Sequence, residues 1–453
     1  MSQRDSFMQT SKGKLIKRIL LPLLTLAFFL TGEYALGRLL TPVNSAVYFK
    51  DEIAELSDQG AEADLLFLGT SRVFHSFAQE IFEEELGLGC VINGGTGTQR
   101  PESSYMFLKD LDRQIKPKAV VLGVQWTSPL EFATDAQITE STLMVYDRMT
   151  AAGRLDCMVR KLGSPVWPEL FPAYRYRYDL RFDTVKAGLA KWKDYRKNGF
   201  TPNTSADHYY CGKGFVYANH RCEQGNIPIM DEGIHSFSTD AVIEGNMKYI
   251  DAIADYCEKN DIRLYLAAPP MSLMNLYHIE GYQEAEEFLE SYAEERGLIY
   301  HNLNYLKDRE EFLGDDCMTD YVHLSGEGAC RVSRLYAEIL GKDMRGEDTS
   351  GYFYKDLDEL KADVDRIVAV SAKISEEDGI CSAKAESLHN DGVIPLYRFE
   401  LSTDGGESFE TVADWSESGS VSFEKPEGAY TLKVTAALSP EDPVPAWMEY
   451  DKE

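Results

Sequence analysis

Between Ala63 and Leu303, short continuous apolar runs recur, and each ends in turn residues before a stretch of helical spacing. Ala63–Leu68 stops at Gly69-Thr70-Ser71-Arg72, Cys90–Ile92 at Asn93-Gly94-Gly95-Thr96-Gly97, and Ala119–Val124 at Gln125. Arg263–Ala268 ends at Pro269-Pro270, and Leu298–Leu303 forms a fifth run. Helical patterns fall at about 78–86, 102–114, 242–259, 282–296 and 327–340. Continuous rather than alternating runs mark strands buried on both faces, and their alternation with helices predicts a parallel sheet in a three-layer α/β domain over 61–342.

Two regions break this rhythm. Residues 125–235 lack strand periodicity and are expected to be an inserted helical cap packed on the sheet. This insertion gathers Trp167, Phe171, Tyr174, Tyr176, Tyr178, Trp192 and Tyr195 beside Arg175, Arg177 and Arg181. Such a mixture suits sugar rings or anionic polymers as well as ordinary packing. From 343 the pattern changes again. A helical linker is predicted over 343–375, with its amphipathic helix at about 357–374. Alternation then appears at 396–402, 408–412, 420–423 and 430–436, with Thr403-Asp404-Gly405-Gly406 as a hairpin turn. This predicts a C-terminal all-β sandwich over 376–453, similar to immunoglobulin or fibronectin modules.

The N-terminus carries a third kind of pattern. Arg4, Lys12, Lys14, Lys17 and Arg18 stand against Asp5 alone, and an apolar run follows from Ile19 to Thr31. The reading is a cytoplasmic tail at 1–14, a membrane anchor at 15–32 and a juxtamembrane linker at 33–60, with the bulk of the chain extracytoplasmic. A cleaved signal peptide and a buried soluble helix are the alternatives; the segment Tyr34-Ala35-Leu36-Gly37 is a poor cleavage site.

Across 453 residues, 46 Lys and Arg face 75 Asp and Glu, a net charge of −29. Such a surface repels phosphate backbones, which excludes nucleic acid as a partner. The mean hydropathy of −0.32 excludes a polytopic membrane protein. Between 343 and 453, 26 acidic side chains outnumber 10 basic ones, which marks a solvated face. The eight cysteines are too scattered for a disulfide scaffold; Cys211 and Cys222 bracket a short loop and are the best candidate pair, with free thiols as the alternative. His208, Cys211, His220 and Cys222 are too unevenly spaced for a zinc site, and no cofactor or metal is expected.

The chemistry-bearing residues lie where the runs end. Ser71 follows the first strand and opens a helix, at the sheet edge where α/β sites gather. Asp320-Tyr321-Val322-His323 precedes the last helix, and an Asp three residues before a His can hold one ring nitrogen while the other faces a serine. Strand–GTSR–helix, strand–NGGTG–helix and a distant DxxH together resemble the SGNH (GDSL-like) hydrolase superfamily over 61–342. With the anchor, the chain is most similar to cell-envelope members such as the teichoic-acid D-alanylation and alginate O-acetylation proteins.

That resemblance implies Ser71 as nucleophile, His323 as general base and Asp320 as its orienting acid. It implies an oxyanion hole from the Ser71 and Gly95 amides, with Gln125 where the family places an asparagine. Thr70 likewise stands where an acidic residue is usual. Arg72 and His75 are candidate substrate contacts, although the reading favoured for His75 is a residue of the helix surface and that for Arg72 is one that bonds locally. The implied function is acyl transfer on an extracellular polysaccharide or teichoic-acid-like polymer, as esterase or O-acetyltransferase, with a multi-spanning membrane O-acyltransferase as a possible partner. The alternatives are a catalytically degenerate surface protein that binds glycan or protein, and a serine peptidase, for which no peptide groove is signalled.

Overall fold

The computed structural model describes residues 3–129, 134–199, 207–229, 236–242, 244–307 and 309–452, with side chains from residue 18 onward except at 310. Residues 130–133, 200–206 and 230–235 of the expected insertion lie outside the described residues. The chain divides into two units.

The larger unit holds the sheet. Its strands are β1 (Leu65–Leu68), β2 (Val91–Asn93) and β3 (Ala119–Gly123); a small hairpin of β4 (His208–Tyr210) and β5 (Val216–Ala218) intervenes before β6 (Arg263–Ala268) and β7 (Ile299–Asn302). The five-stranded sheet has the order β2-β1-β3-β6-β7, and every pairing in it is parallel. Both faces are covered, as the continuous apolar runs require. Leu65, Phe67, Val91 and Val121 share a core with Val73, Phe77, Phe82, Tyr336 and Leu340 from helices Ser71–Ser76, Gln79–Leu86 and Gly326–Met344. The alternate residues Leu66, Leu68, Ile92, Val120 and Leu122 are buried on the opposite face. Helices Pro101–Ile115 and Glu244–Lys259 pair with each other, linked by Tyr256 Oη donating to Asp112 at 2.6 Å and Tyr249 Oη to Glu102 at 3.1 Å.

The chain passes from β1 to β2 on one side and then crosses back to β3 on the other side of β1. In such sheets the loops separate at this point and open a crevice at the carboxyl ends of the strands. Gly69-Thr70-Ser71 sits there.

The hairpin β4–β5 contradicts the absence of strands expected in 125–235. Its turn needs positive φ at three successive residues, Gly212 (93°), Lys213 (46°) and Gly214 (100°). Three-residue strands are too short to show a period.

The C-terminal region is a β-sandwich. One sheet joins β8 (Ala369–Glu377), β9 (Ile380–Leu388) and β12 (Ser420–Glu424); the other joins β10 (Leu396–Ser402), β11 (Glu410–Ser416), β13 (Tyr430–Ala437) and β14 (Ala446–Lys452). Val370, Cys381, Ala383, Phe399, Leu432 and Val434 fill the space between them. The helix expected to run to 374 ends at Asp363, because the β-branched Ile367 and Val370 enter the sandwich core while Val368 packs into the core of the α/β domain. The sandwich is tied to the α/β domain by the buried Arg366–Asp315 pair at 3.2 Å and by Trp447, whose indole donates to the Gln224 carbonyl at 3.2 Å.

The smaller unit comprises residues up to 51 together with those from 133 to 201. Its N-terminal helix runs from Gln3 to Leu40, and within it Arg18–Leu40 is long and apolar enough to cross a membrane, eight residues beyond the expected end at 32. Segment 134–199 contains helices Asp135–Tyr146, Ala151–Arg160, Pro172–Arg175 and Phe182–Asn198. It clusters with the N-terminal helices rather than forming one insertion with residues 207–229. Two of its arginines are used in packing: Arg177 lies over Tyr174 (3.9 Å) and Tyr178 (4.7 Å), and Arg175 pairs with Asp147 at 2.9 Å.

Candidate active site

Ser71 is placed by two glycines. Gly69 has φ of +148°, and a Cβ there would lie 2.6 Å from the Val73 side chain; one at Gly123 would lie 2.3 Å from it. Without side chains at these positions the Ser71–Ser76 helix can start directly against the ends of β1 and β3. Its N-cap, Thr70, makes no side-chain capping bond, and the Ser71 N–H belongs to the first turn, where a helix provides no acceptor.

His323 joins the two other members of the expected triad. Its Nε2 is 2.8 Å from Ser71 Oγ, and its Nδ1 is 2.8 Å from Asp320 Oδ2. The second oxygen, Asp320 Oδ1, accepts the backbone N–H groups of Val322 and His323, each at 2.8 Å. Burial pushes the Asp320 carboxyl up, but the hydrogen bond and charge of His323 and the two backbone donors outweigh it. Its pKa falls below the ordinary carboxylate value, so Asp320 is ionised at neutral pH and fixes Nδ1 as the protonated nitrogen, leaving Nε2 to accept from serine.

The turn carrying this pair is held from several sides. Thr319 N–H donates to the His323 carbonyl at 2.9 Å. Ser272 Oγ (2.7 Å) and Asn275 Nδ2 (2.9 Å) both donate to the Tyr321 carbonyl. Downstream, Ser325 caps the Gly326–Met344 helix by accepting from Gly328 N–H. A Cβ on Gly328 would stand 2.1 Å from the Cys317 carbonyl oxygen and one on Gly326 2.3 Å from the Tyr217 ring, which explains the glycines after the DxxH segment. Sequence reading passed over Ser272 and Asn275; their only signal was their place after β6, at the sheet edge that bears Ser71.

The expected oxyanion donors divide. Gly95 is pressed against the Ser71–Ser76 helix, since a Cβ there would be 2.9 Å from Phe74 N. Its own N–H, however, donates to Asn93 Oδ1 at 3.1 Å. The neighbouring N–H groups of Gly94 and Thr96 bond the carbonyls of Phe67 and Gly69. The loop is thereby locked to the end of β1, and Asn93 Nδ2 completes the lock by donating to the Val73 (3.1 Å) and Phe77 (2.8 Å) carbonyls. Gln125 turns its Nε2 toward Thr127 Oγ1 at 2.7 Å, and its Oε1 is buried without a partner.

Arg72 and His75 differ from each other. Arg72 is half-buried and has no hydrogen-bond or ion-pair partner among the described residues, so local bonding does not account for it. Burial lowers its pKa to about 10, opposed by Tyr282, Asp320 and Tyr321, which leaves it a cation at neutral pH. His75 is not on the helix surface; it is 8% exposed. Its ring lies 5.2 Å from that of His323 and 5.5 Å from that of His208. Burial, and then the two neighbouring histidines, depress its pKa to about 3, so the ring is neutral. It lies beside the His323 ring.

Cys211 and Cys222 are free thiols, contrary to the expected pairing. Cys211 N–H pairs with the Phe215 carbonyl in the turn of the β4–β5 hairpin, while Cys222 N–H bonds the Met318 carbonyl, so the two are fixed to different neighbours. Among the described residues no three His, Cys, Asp or Glu side chains gather as metal ligands.

No protein-family model and no curated protein matches the sequence. Solved structures of similar fold include a GDSL-like lipase from Bacteroides thetaiotaomicron, at 12% identity and a TM-score of 0.29 over 65% of this chain and 99% of that one. Another is a two-domain esterase active on acetylated mannans, solved with mannopentaose, at 10% identity and a TM-score of 0.30 over 89% of this chain and 94% of that one.

Proposed function

We propose that this chain is a membrane-anchored, extracytoplasmic SGNH-like acyl-transfer enzyme that acts on a cell-envelope polysaccharide or teichoic-acid-like polymer. The continuous hydrogen-bonded path from Ser71 through His323 to Asp320 carries the proposal. His323 Nε2 takes the Ser71 proton as Oγ attacks the ester carbonyl carbon. The carbonyl electron pair moves onto oxygen and returns to expel the alkoxide, which leaves with the proton from His323. An acyl-Ser71 remains. Water or a sugar hydroxyl then gives its proton to His323 and attacks the acyl carbon, and the bond to Ser71 Oγ breaks as Oγ takes that proton back from His323; water makes the enzyme an esterase and a sugar hydroxyl makes it an O-acetyltransferase. In the second case a multi-spanning membrane O-acyltransferase is the fitting donor partner.

Arg72 supports a charged substrate. A cation beside the nucleophile with no protein partner favours an anionic group near the scissile ester. The Arg18–Leu40 helix with its basic flank supports the anchor, with the N-terminus cytoplasmic.

A second reading, a degenerate SGNH-like protein that binds glycan or protein partners, draws on the oxyanion side. The Gly95 amide is occupied by Asn93, and the Gln125 amide bonds Thr127. Loss of one oxyanion donor costs about 10²–10³ in rate. One experiment separates the two. Full-length protein is treated with a fluorophosphonate probe and with an activated acetyl ester, beside Ser71→Ala and His323→Ala. Labelling and acetate release that vanish in both variants establish the enzyme. A folded wild type that neither labels nor releases acetate favours the binder.

A further inference from the structure

The smaller unit carries an apolar surface in an unusual place. On helix Ala151–Arg160 the buried residues are Gly153 and Cys157, while Leu155 (63% exposed) and Val159 (66%) face outward, followed by Leu162 (69%). Their spacing of four and three residues forms one stripe along the helix. Nearby in sequence, Tyr178 (78%) and Phe182 (82%) are still more exposed, and Leu180 and Leu189 are exposed too. A stripe of this kind on a soluble protein marks an interaction site.

Contacts within the same unit set the depth of its 171–192 part, and Trp167 ties helix Ala151–Arg160 to that part: its indole donates to the Met158 carbonyl at 3.1 Å and its ring lies 4.8 Å from that of Phe171. Phe29, near the middle of the apolar Arg18–Leu40 segment, packs on Phe171 with ring centroids 5.8 Å apart. Glu33 accepts the Ala173 N–H at 3.0 Å, a Cβ on Gly37 would lie 3.1 Å from Pro172, and Arg38 lies 4.4 Å over the Trp192 ring. At 1.5 Å per residue, Phe29 stands roughly 16 Å from Arg18 along the axis, about half the thickness of a hydrocarbon core. Segment 171–192 therefore runs beside the outer half of the apolar helix. If that helix spans the bilayer, the segment shares its depth.

Charge agrees. Residues 134–199 hold 12 Lys and Arg against 8 Asp and Glu, although the chain as a whole has a net charge of −29. Arg181, Lys186, Lys191, Lys193, Arg196 and Lys197 are exposed. Apolar residues beside an outward basic set are the composition of a helix that lies in the headgroup boundary of an anionic membrane.

We infer that segment 155–182 is a second membrane-contacting element, embedded in the outer leaflet beside the spanning helix, with anionic phospholipid as its ligand. It rests on the anchor reading, and its test separates the two. Full-length protein in nanodiscs of phosphatidylcholine and phosphatidylglycerol is irradiated with a diazirine-bearing lipid, and labelled peptides are mapped by mass spectrometry. Label is expected in 19–30 and also in 155–162 and 178–182. Label in 19–30 alone overturns the inference while leaving the anchor intact, whatever else covers the stripe. Absence of label from both regions overturns the anchor as well. A Leu155→Glu/Val159→Glu/Leu162→Glu variant of native circular dichroism is expected to lose at least five-fold of the label in 155–162 and to retain that in 19–30. Equal labelling of this variant and the wild type also overturns the inference.

Discussion

His323 Nε2 and Ser71 Oγ lie 2.8 Å apart although 252 residues separate them. The contact is made by two rigid starts: the helix opened by Ser71 against β1, and the turn fixed between Met318 and Leu324, which pair as an isolated bridge. Asp320 stabilises this turn twice, through the His323 ring and through two backbone N–H groups. The electrostatic and the scaffolding functions of this carboxylate can be separated by mutation.

Asp320→Asn retains an oxygen for the Val322 and His323 N–H groups and removes the charge that orients the imidazole. Its kcat on an activated acetyl ester is expected to fall by about 10³–10⁴ with little change in melting temperature. Asp320→Ala removes both functions and is expected to lower stability by about 1–3 kcal/mol besides. Stopped assays and thermal melts on both variants check this. Near-wild-type kcat in Asp320→Asn would remove Asp320 from the catalytic machinery.

Gly95 and Gly97 predict opposite outcomes within one loop. A Cβ on Gly95 meets Phe74 N at 2.9 Å and Val73 Cβ at 3.1 Å, so Gly95→Ala must push the Ser71–Ser76 helix away from β1. Gly97 has nothing within 4 Å of a built Cβ. Gly95→Ala is expected to lose about 1–3 kcal/mol of stability and most of the fluorophosphonate labelling. Gly97→Ala is expected to fall within about 0.5 kcal/mol of wild type. Urea titrations of the two variants decide the matter.

Long continuous apolar runs were the legible part of this chain. β6 occupies Arg263–Ala268 as read, and β3 differs from its reading only by the loss of Val124. The triad was legible because its residues end such runs or precede a strong helix. Where the sequence misled, a local signal was outweighed or too short. The first six residues of β8, 369–374, include Ala and Lys and read as the end of a helix, yet Asp378-Gly379 after the strand, with φ of 49° and 78°, is a hairpin signal. His75 follows Ser71 by one turn and read as surface; its burial depends on β5 and on His208, which the sequence does not connect to it. The Asn93 lock on Gly95 is set by side-chain direction, which no spacing encodes.

Arg72 yields a test of substrate charge. Arg72→Ala is expected to raise KM for acetylated anionic oligosaccharides by about ten-fold or more, while neutral activated esters keep kcat/KM within about three-fold. Arg72→Lys keeps the charge but loses the planar fork, and is expected to recover only part of the difference. Parallel loss on charged and neutral esters would instead make Arg72 a structural residue of the Ser71 helix.

Glu286 gives the last prediction, in stability rather than rate. It is buried on helix Tyr282–Glu295 and accepts a hydrogen bond from Tyr300. Burial raises its pKa to about 7 from an ordinary 4.5, against the lowering effect of Tyr300 and Tyr282. Between these values the folded protein keeps a proton that the unfolded chain has released. Glu286 therefore favours the folded state fully below about pH 4.5, and its contribution is lost as pH rises through about 7. The difference is on the order of 3 kcal/mol across the window. Glu286→Gln removes the titration and keeps a polar group for Tyr300. Its unfolding free energy, measured in urea from pH 4.5 to 8, is expected to fall less steeply than that of the wild type and to exceed it at pH 8. If both proteins follow one pH profile, the Glu286 carboxyl is charged in the folded state throughout, and the Tyr300 hydrogen bond stabilises the anion.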